Sequence, residues 1–118
     1  MGMSKEDYLE FHKKFCKNMI EITAQKNADY TGASEDPFAN FRHTDHFGVA
    51  TVEQGFFTRM TDKFSRIASF IKIGFLLVKD ENIYDTLLDL ANYSALFAGY
   101  LKSEKMDKEK LEEKVKGN

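Results

Sequence analysis

Apolar residues recur every three or four positions over three long stretches of the chain, and the segments between them lose that rhythm. Over 4–27, Tyr8, Phe11, Phe15, Met19 and Ile22 mark one side of a predicted helix. Ser4 is placed to cap it, and Asp7, three residues on, takes the reciprocal position of a capping box. Lys26 lies near its C-terminal end, where the helix dipole favours a cation. A second helix is predicted over 51–74, with Thr51 and Gln54 as a capping box. Phe57, Met60, Phe64, Ile67 and Ile71 form its expected core stripe, and Gly74 its stop. Gly55 costs helix propensity early in that run, so close packing is its expected use. A third helix is predicted from Asp80 or Glu81, with Tyr84, Leu87, Leu88, Ala91, Ala95, Ala98 and Leu101 on a broad apolar face.

Between the first two helices, "ADYTGASEDPFANFRHTDHFG" holds the only proline, Pro37, with Gly32 and Gly48. It reads as an ordered loop pinned by Tyr30, Phe38, Phe41 and Phe47. So long a connection points to function or to short helical turns of its own. "FLLVKD" reads as a helical continuation, a loop, or a strand without a partner. Residues 103–118 read as a charged helical tail that continues the third helix or restarts after it, with Met106, Leu111 and Val115 as a thin apolar line. The expected fold is therefore all-α, a helical bundle of three main helices plus the tail, with a body over 4–102. The third helix is apolar on more than one face, and a homodimer or higher oligomer would cover the surplus.

Composition narrows the function classes. Hydrophobic residues make up 42% and charged residues 31%, the balance of a globular domain rather than a disordered chain. Eleven Phe and five Tyr supply a largely aromatic core. A net charge of -2 lacks the basic bias of a nucleic-acid binder. A lone cysteine, Cys16, excludes an internal disulfide and suits a reducing compartment. No apolar run is long enough to span a membrane and no signal segment opens the chain, so a cytoplasmic location is expected.

The candidate chemistry lies on the helices. At about 100° per residue, Asp85, Asp89 and Asn92 share one stripe, and Glu81 extends it by a turn. Grouped carboxylates repel one another unless a positive partner joins them, and Mg²⁺ or Mn²⁺ suits their oxygens. The same spacing also describes a solvent-facing acidic edge. On the second helix, Asp62 either pairs with Arg66 one turn later or joins the acids of the third helix. Lys63 and Arg66 are then cations for phosphate oxygens, with Arg59 one turn earlier. Lys26, Tyr30, Asn40 and Arg42 offer stacking, amide and cationic groups from the loop and its approach. His43 and His46 form no persuasive metal motif, and no phosphate-binding glycine loop or nucleophile elbow is present.

Four blocks, "KNADY", "DPFANFR", "MTDKFSRI" and "DTLLDLANYSAL", in this order and separation over roughly 20–100, resemble the phage and bacterial family called nucleotide modification associated domain 1. That family in turn distantly resembles the MazG-like all-α nucleoside triphosphate pyrophosphohydrolases. The resemblance implies a Mg²⁺-dependent enzyme, commonly oligomeric, that releases pyrophosphate from a (deoxy)nucleotide. It implies Asp62, Glu81, Asp85 and Asp89 as metal ligands, Lys63 and Arg66 as charge-neutralising groups, and Asn92 as the group that orients a water or ligand. Lys26, Tyr30, Asn40 and Arg42 would form the nucleotide pocket. The chain departs from the MazG pattern of paired acids three residues apart. Asp62 has no carboxylate at that spacing, and Asn92 stands where the second acid of the later pair belongs. The rival expectation is a nonenzymatic helical module that binds a nucleotide or a protein.

Overall fold

The computed structural model describes residues 2–31, 35–75 and 82–117, with the side chains of 27–31 left aside. Four helices account for nearly all of them: α1 (Lys5–Thr31), α2 (Ala39–His46), α3 (Val52–Ile73) and α4 (Ile83–Lys116). There is no strand among the described residues, so the architecture is an all-α bundle.

The local signals set the helix ends. At the start of α1 the Asp7 amide donates to Ser4 Oγ at 3.0 Å, and the Ser4 amide returns a bond to the Asp7 carboxylate at 3.3 Å. Thr51 and Gln54 close the same reciprocal pair at the start of α3. Gly74 ends α3 at φ 90°, the left-handed conformation that glycine reaches without Cβ strain. Asn82 caps α4 by accepting from the Asp85 amide at 2.9 Å.

Two elements differ from the sequence expectation. α1 continues to Thr31, past the expected end near Asn27. The expected loop contains α2, eight residues long. Asp36 starts it: its carboxylate accepts from the Phe38 amide at 3.1 Å, a local turn that directs the chain past Pro37. Of the two courses open to the charged tail, continuing the third predicted helix or restarting, it takes the first: α4 runs unbroken for 34 residues, past residue 102.

The core is small and aromatic. Phe38, Val52, Phe56 and Tyr100 are buried together, with Phe41, Leu96 and Phe97 against them. Phe56 is fully buried, stacked between Phe41 at 3.9 Å and Phe97 at 4.8 Å. Thus α2 supplies rings to the junction of α3 and α4. The expected α3 stripe is corrected here. Phe57, Phe64 and Ile71 are exposed, and Phe56, one position away, is the buried anchor. On α4 the broad apolar face is likewise divided: Leu88 is buried, while Tyr84, Leu87 and Leu101 are exposed. On α1, Tyr8 and Phe11 are exposed and Phe15, Met19 and Ile22 are half-buried.

Candidate functional site

A cleft of about 450 Å³ opens where all four helices meet. One wall is aromatic: Phe38 and Phe41 from the α2 region and Tyr93 from α4, with the Phe41 and Tyr93 rings edge to face. Gly55 makes room for that wall, since a Cβ there would lie 3.2 Å from Phe41 Cδ1. This is the close packing its place in a helix foreshadowed. The opposite end is polar. Thr23 and Lys26 of α1, Asn40 of α2, Arg59 of α3, and Asp89 and Asn92 of α4 line it. The volume and mixed lining are those of a small-molecule site.

Asp89 organises the polar end. Its Oδ1 accepts from Lys26 Nζ at 3.2 Å, and its Oδ2 faces Lys63 Nζ at 3.4 Å. One carboxylate therefore ties α1 and α3 to α4 and balances two ammonium groups. The local sum of Lys26, Lys63, Arg59 and Asp89 remains positive. Arg59 is exposed and makes no ion pair among the described residues. Asn92 lies one turn beyond Asp89. Thr23 Oγ1 donates to Asn92 Oδ1 at 3.0 Å, and the buried Asn92 Nδ2 has no partner among the described residues. A buried amide donor without an acceptor is costly, so a ligand oxygen or a water in the cleft would complete it.

Of the residues singled out in the sequence, the cleft brings together Lys26, Asn40, Asp89 and Asn92, with Lys63 attached through Asp89. Arg42 lies elsewhere. Its guanidinium bonds Asp36 at 2.7 Å and Glu104 at 3.1 Å and covers the Tyr100 ring at 5.2 Å. Burial alone would depress this group; the bonds to Glu104 and Asp36 outweigh that and hold its pKa above the ordinary value. Arg42 is thus a brace between α2 and α4. Asp62 is exposed on α3, and Arg66 is half-buried on the same helix. Asp85 is exposed and bonded to Asn82, whose Nδ2 donates to it at 2.9 Å. The Tyr30 side chain and Glu81 lie outside the described residues.

Among the described residues no three acidic, histidine or cysteine side chains gather closely enough to hold a divalent cation. Both Asp89 oxygens face ammonium groups instead.

Thr23 and Tyr93 were not singled out in the sequence. Thr23 lies one turn before Lys26 and Tyr93 directly follows Asn92. Each is an ordinary residue whose importance depends on the neighbouring helix. Against family models, curated proteins and solved structures, the chain has no match.

Proposed function

We propose that the cleft binds a (deoxy)nucleotide. The observation that carries this reading is the continuity of one cavity from an aromatic wall to a cationic, amide-lined end. A base is a flat, polarisable ring with polar edges. Phe38, Phe41 and Tyr93 offer faces and edges for it to stack on. The phosphates are assigned to Lys26 and Arg59, whose charges suit anionic oxygens. Asp89 holds Lys26 and Lys63 in place, so the cationic end is set before ligand arrives. Asn92 donates through Nδ2 to a ligand oxygen, with Thr23 holding the amide in that orientation.

Pyrophosphate-releasing hydrolysis is a second reading. Asp89 in the cleft wall, with Asp85 one turn before it on α4, favours it. Binding stands ahead of hydrolysis because Asp89 is held by two lysines and Asp85 by a helix cap.

Calorimetric titration with a panel of dNTPs, dNMPs and nucleosides, with and without Mg²⁺, tests the proposal. The phosphorylated ligands are expected to bind and the nucleosides to bind much more weakly. Arg59→Ala should weaken the phosphorylated ligands by about tenfold or more, the worth of one charge-assisted hydrogen bond. Folded protein that binds no nucleotide rejects the reading. Mg²⁺-dependent pyrophosphate release that Asp89→Asn abolishes would raise the hydrolytic reading above it.

A further inference from the structure

We propose that the cleft is built for a nucleoside monophosphate and disfavours the di- or triphosphate of the same base. The proposal rests on the nucleotide reading above and adds to it the number of phosphates the site takes.

The charge at the polar end matches one phosphate. Among the described residues, Lys26 and Arg59 are the cations that line the cleft, and Asp89 is the acid. Asp89 takes Lys26 on Oδ1 and the mostly buried Lys63 on Oδ2. Three cations against one acid leave two positive charges. A phosphate monoester carries close to two negative charges at neutral pH. Its three terminal oxygens suit the donors as well. The Arg59 guanidinium offers a fork of N–H groups for two of them, and Lys26 keeps N–H groups beyond the one given to Asp89. The other polar groups of the lining, Thr23, Asn40, Thr44 and Asn92, are uncharged. A second phosphate therefore meets no cation of its own among the described residues of the lining.

The length of the cleft sets the same limit. Along α4 its lining runs from Gly99 through Leu96 and Asn92 to Asp89, a rise of about 15 Å. The Gly99 end is shut by the Phe38 ring, whose Cζ would lie 3.6 Å from a Cβ at Gly99. Its volume of about 450 Å³ falls in the lower half of the roughly 300–1,000 Å³ of small-molecule pockets. With a base on the aromatic wall, the first phosphate reaches Lys26 and Asp89. Any further phosphate has to leave the cleft at that end.

Beyond that end the nearest charges on both helices are acidic. Phe56 meets Phe97 and Lys63 meets Asp89, so α3 and α4 are antiparallel, and the way out runs forward along α3 and back along α4. Asp62 lies one turn beyond Arg59 and Asp85 one turn before Asp89, and both are exposed. At about 100° per residue, Asp62 is about 60° around α3 from Arg59, and Asp85 about 40° around α4 from Asp89. Both acids thus border the cleft face of their helices. Arg66, further along α3, already has an interaction of its own. A phosphate chain extended past Asp89 brings its added negative charge toward two carboxylates, and like charges held close repel. Cations inside and acids outside set a boundary after the first phosphate, the repulsive half of a specificity device.

Calorimetric titration of the full chain with each dNMP and its own dNTP, with and without Mg²⁺, tests this. A dNMP that binds should do so about tenfold tighter than its dNTP without Mg²⁺, and should remain the tighter ligand with it. Methylating the phosphate of the best dNMP removes one charge and should weaken binding several-fold. Asp62→Asn and Asp85→Asn combined should raise dNTP affinity about tenfold and dNMP affinity far less, a gain that damage to the fold does not produce. Should the double variant fail to fold, the wild-type comparison decides. A dNTP that binds as tightly as its dNMP overturns the selection and leaves the nucleotide reading standing. So does a folded double variant that keeps the wild-type ratio. Folded protein that binds no nucleotide of either kind overturns both.

Discussion

Lys63 on α3 and Asp89 on α4 meet at 3.4 Å with the Lys63 side chain only 14% exposed. The same carboxylate takes Lys26 from α1 on its other oxygen. Three helices are thus joined through one acidic group at the mouth of the cleft. Replacing Asp89 by Ala leaves a mostly buried ammonium without its partner, and should cost about 1–3 kcal/mol in urea unfolding. Lys26→Ala should cost less than about 1 kcal/mol, because Lys26 is the more exposed of the two lysines. Equal losses in the two variants would contradict this ranking.

Phe56 is the fully buried anchor of the core, between the rings of Phe41 and Phe97. Phe56→Ala should lose about 3–5 kcal/mol, the range for deleting a buried aromatic ring. Phe57→Ala, at the neighbouring exposed position, should lose far less. Denaturant midpoints compared side by side would show whether the two positions are ranked correctly.

Gly55 keeps the aromatic wall in place. Ala at this position meets Phe41 at 3.2 Å, so the helix-propensity gain is offset and little stability should follow. Leu adds branches that must displace the Phe41 ring, costing about 1–3 kcal/mol by overpacking. Because Phe41 also lines the cleft, Gly55→Leu should weaken nucleotide binding beyond the loss of fold. A variant that binds as wild type would remove Phe41 from the proposed pocket.

Tyr100 supplies a pH signature. Burial pushes its phenol above the usual value of 10.0; Glu53 and Glu104 add to the shift and Arg42 opposes it. The folded chain therefore holds this proton more tightly than the unfolded chain. Its contribution is complete below pH 10 and is lost as pH rises through the folded-state value. Stability should fall above about pH 10 with a slope that Tyr100→Phe reduces. Identical alkaline slopes in the two proteins would refute the assignment.

Arg42 separates bracing from binding. It joins Asp36, Glu104 and the Tyr100 ring outside the cleft. Arg42→Met should lower stability by about 1–2 kcal/mol, with the larger loss at low salt. Nucleotide affinity should change far less than in Arg59→Ala. Loss of affinity without loss of stability would return Arg42 to the pocket.

The three long helices and most of their ends were legible in the sequence because the signals are local. Ser4 with Asp7, Thr51 with Gln54, and Gly74 act within one turn of themselves, and periodicity needs only the residues of one helix. The kinds of group in the cleft were partly legible too, in Lys26, Asn40, Asp89 and Asn92. What the sequence left open is which way each helix faces. α3 carries Phe56 beside Phe57, and α4 is apolar on several sides, so neither wheel has a unique inward direction. Only packing against α2 makes Phe56 the anchor and leaves Phe57 outside. Only the meeting of α1, α3 and α4 gives Asp89 two lysines, and its spacing from Asp85 on one helix announces neither of them. An isolated helix shows where its charges are; their partners depend on what another helix brings within a few ångströms, where Coulomb attraction and desolvation are decided.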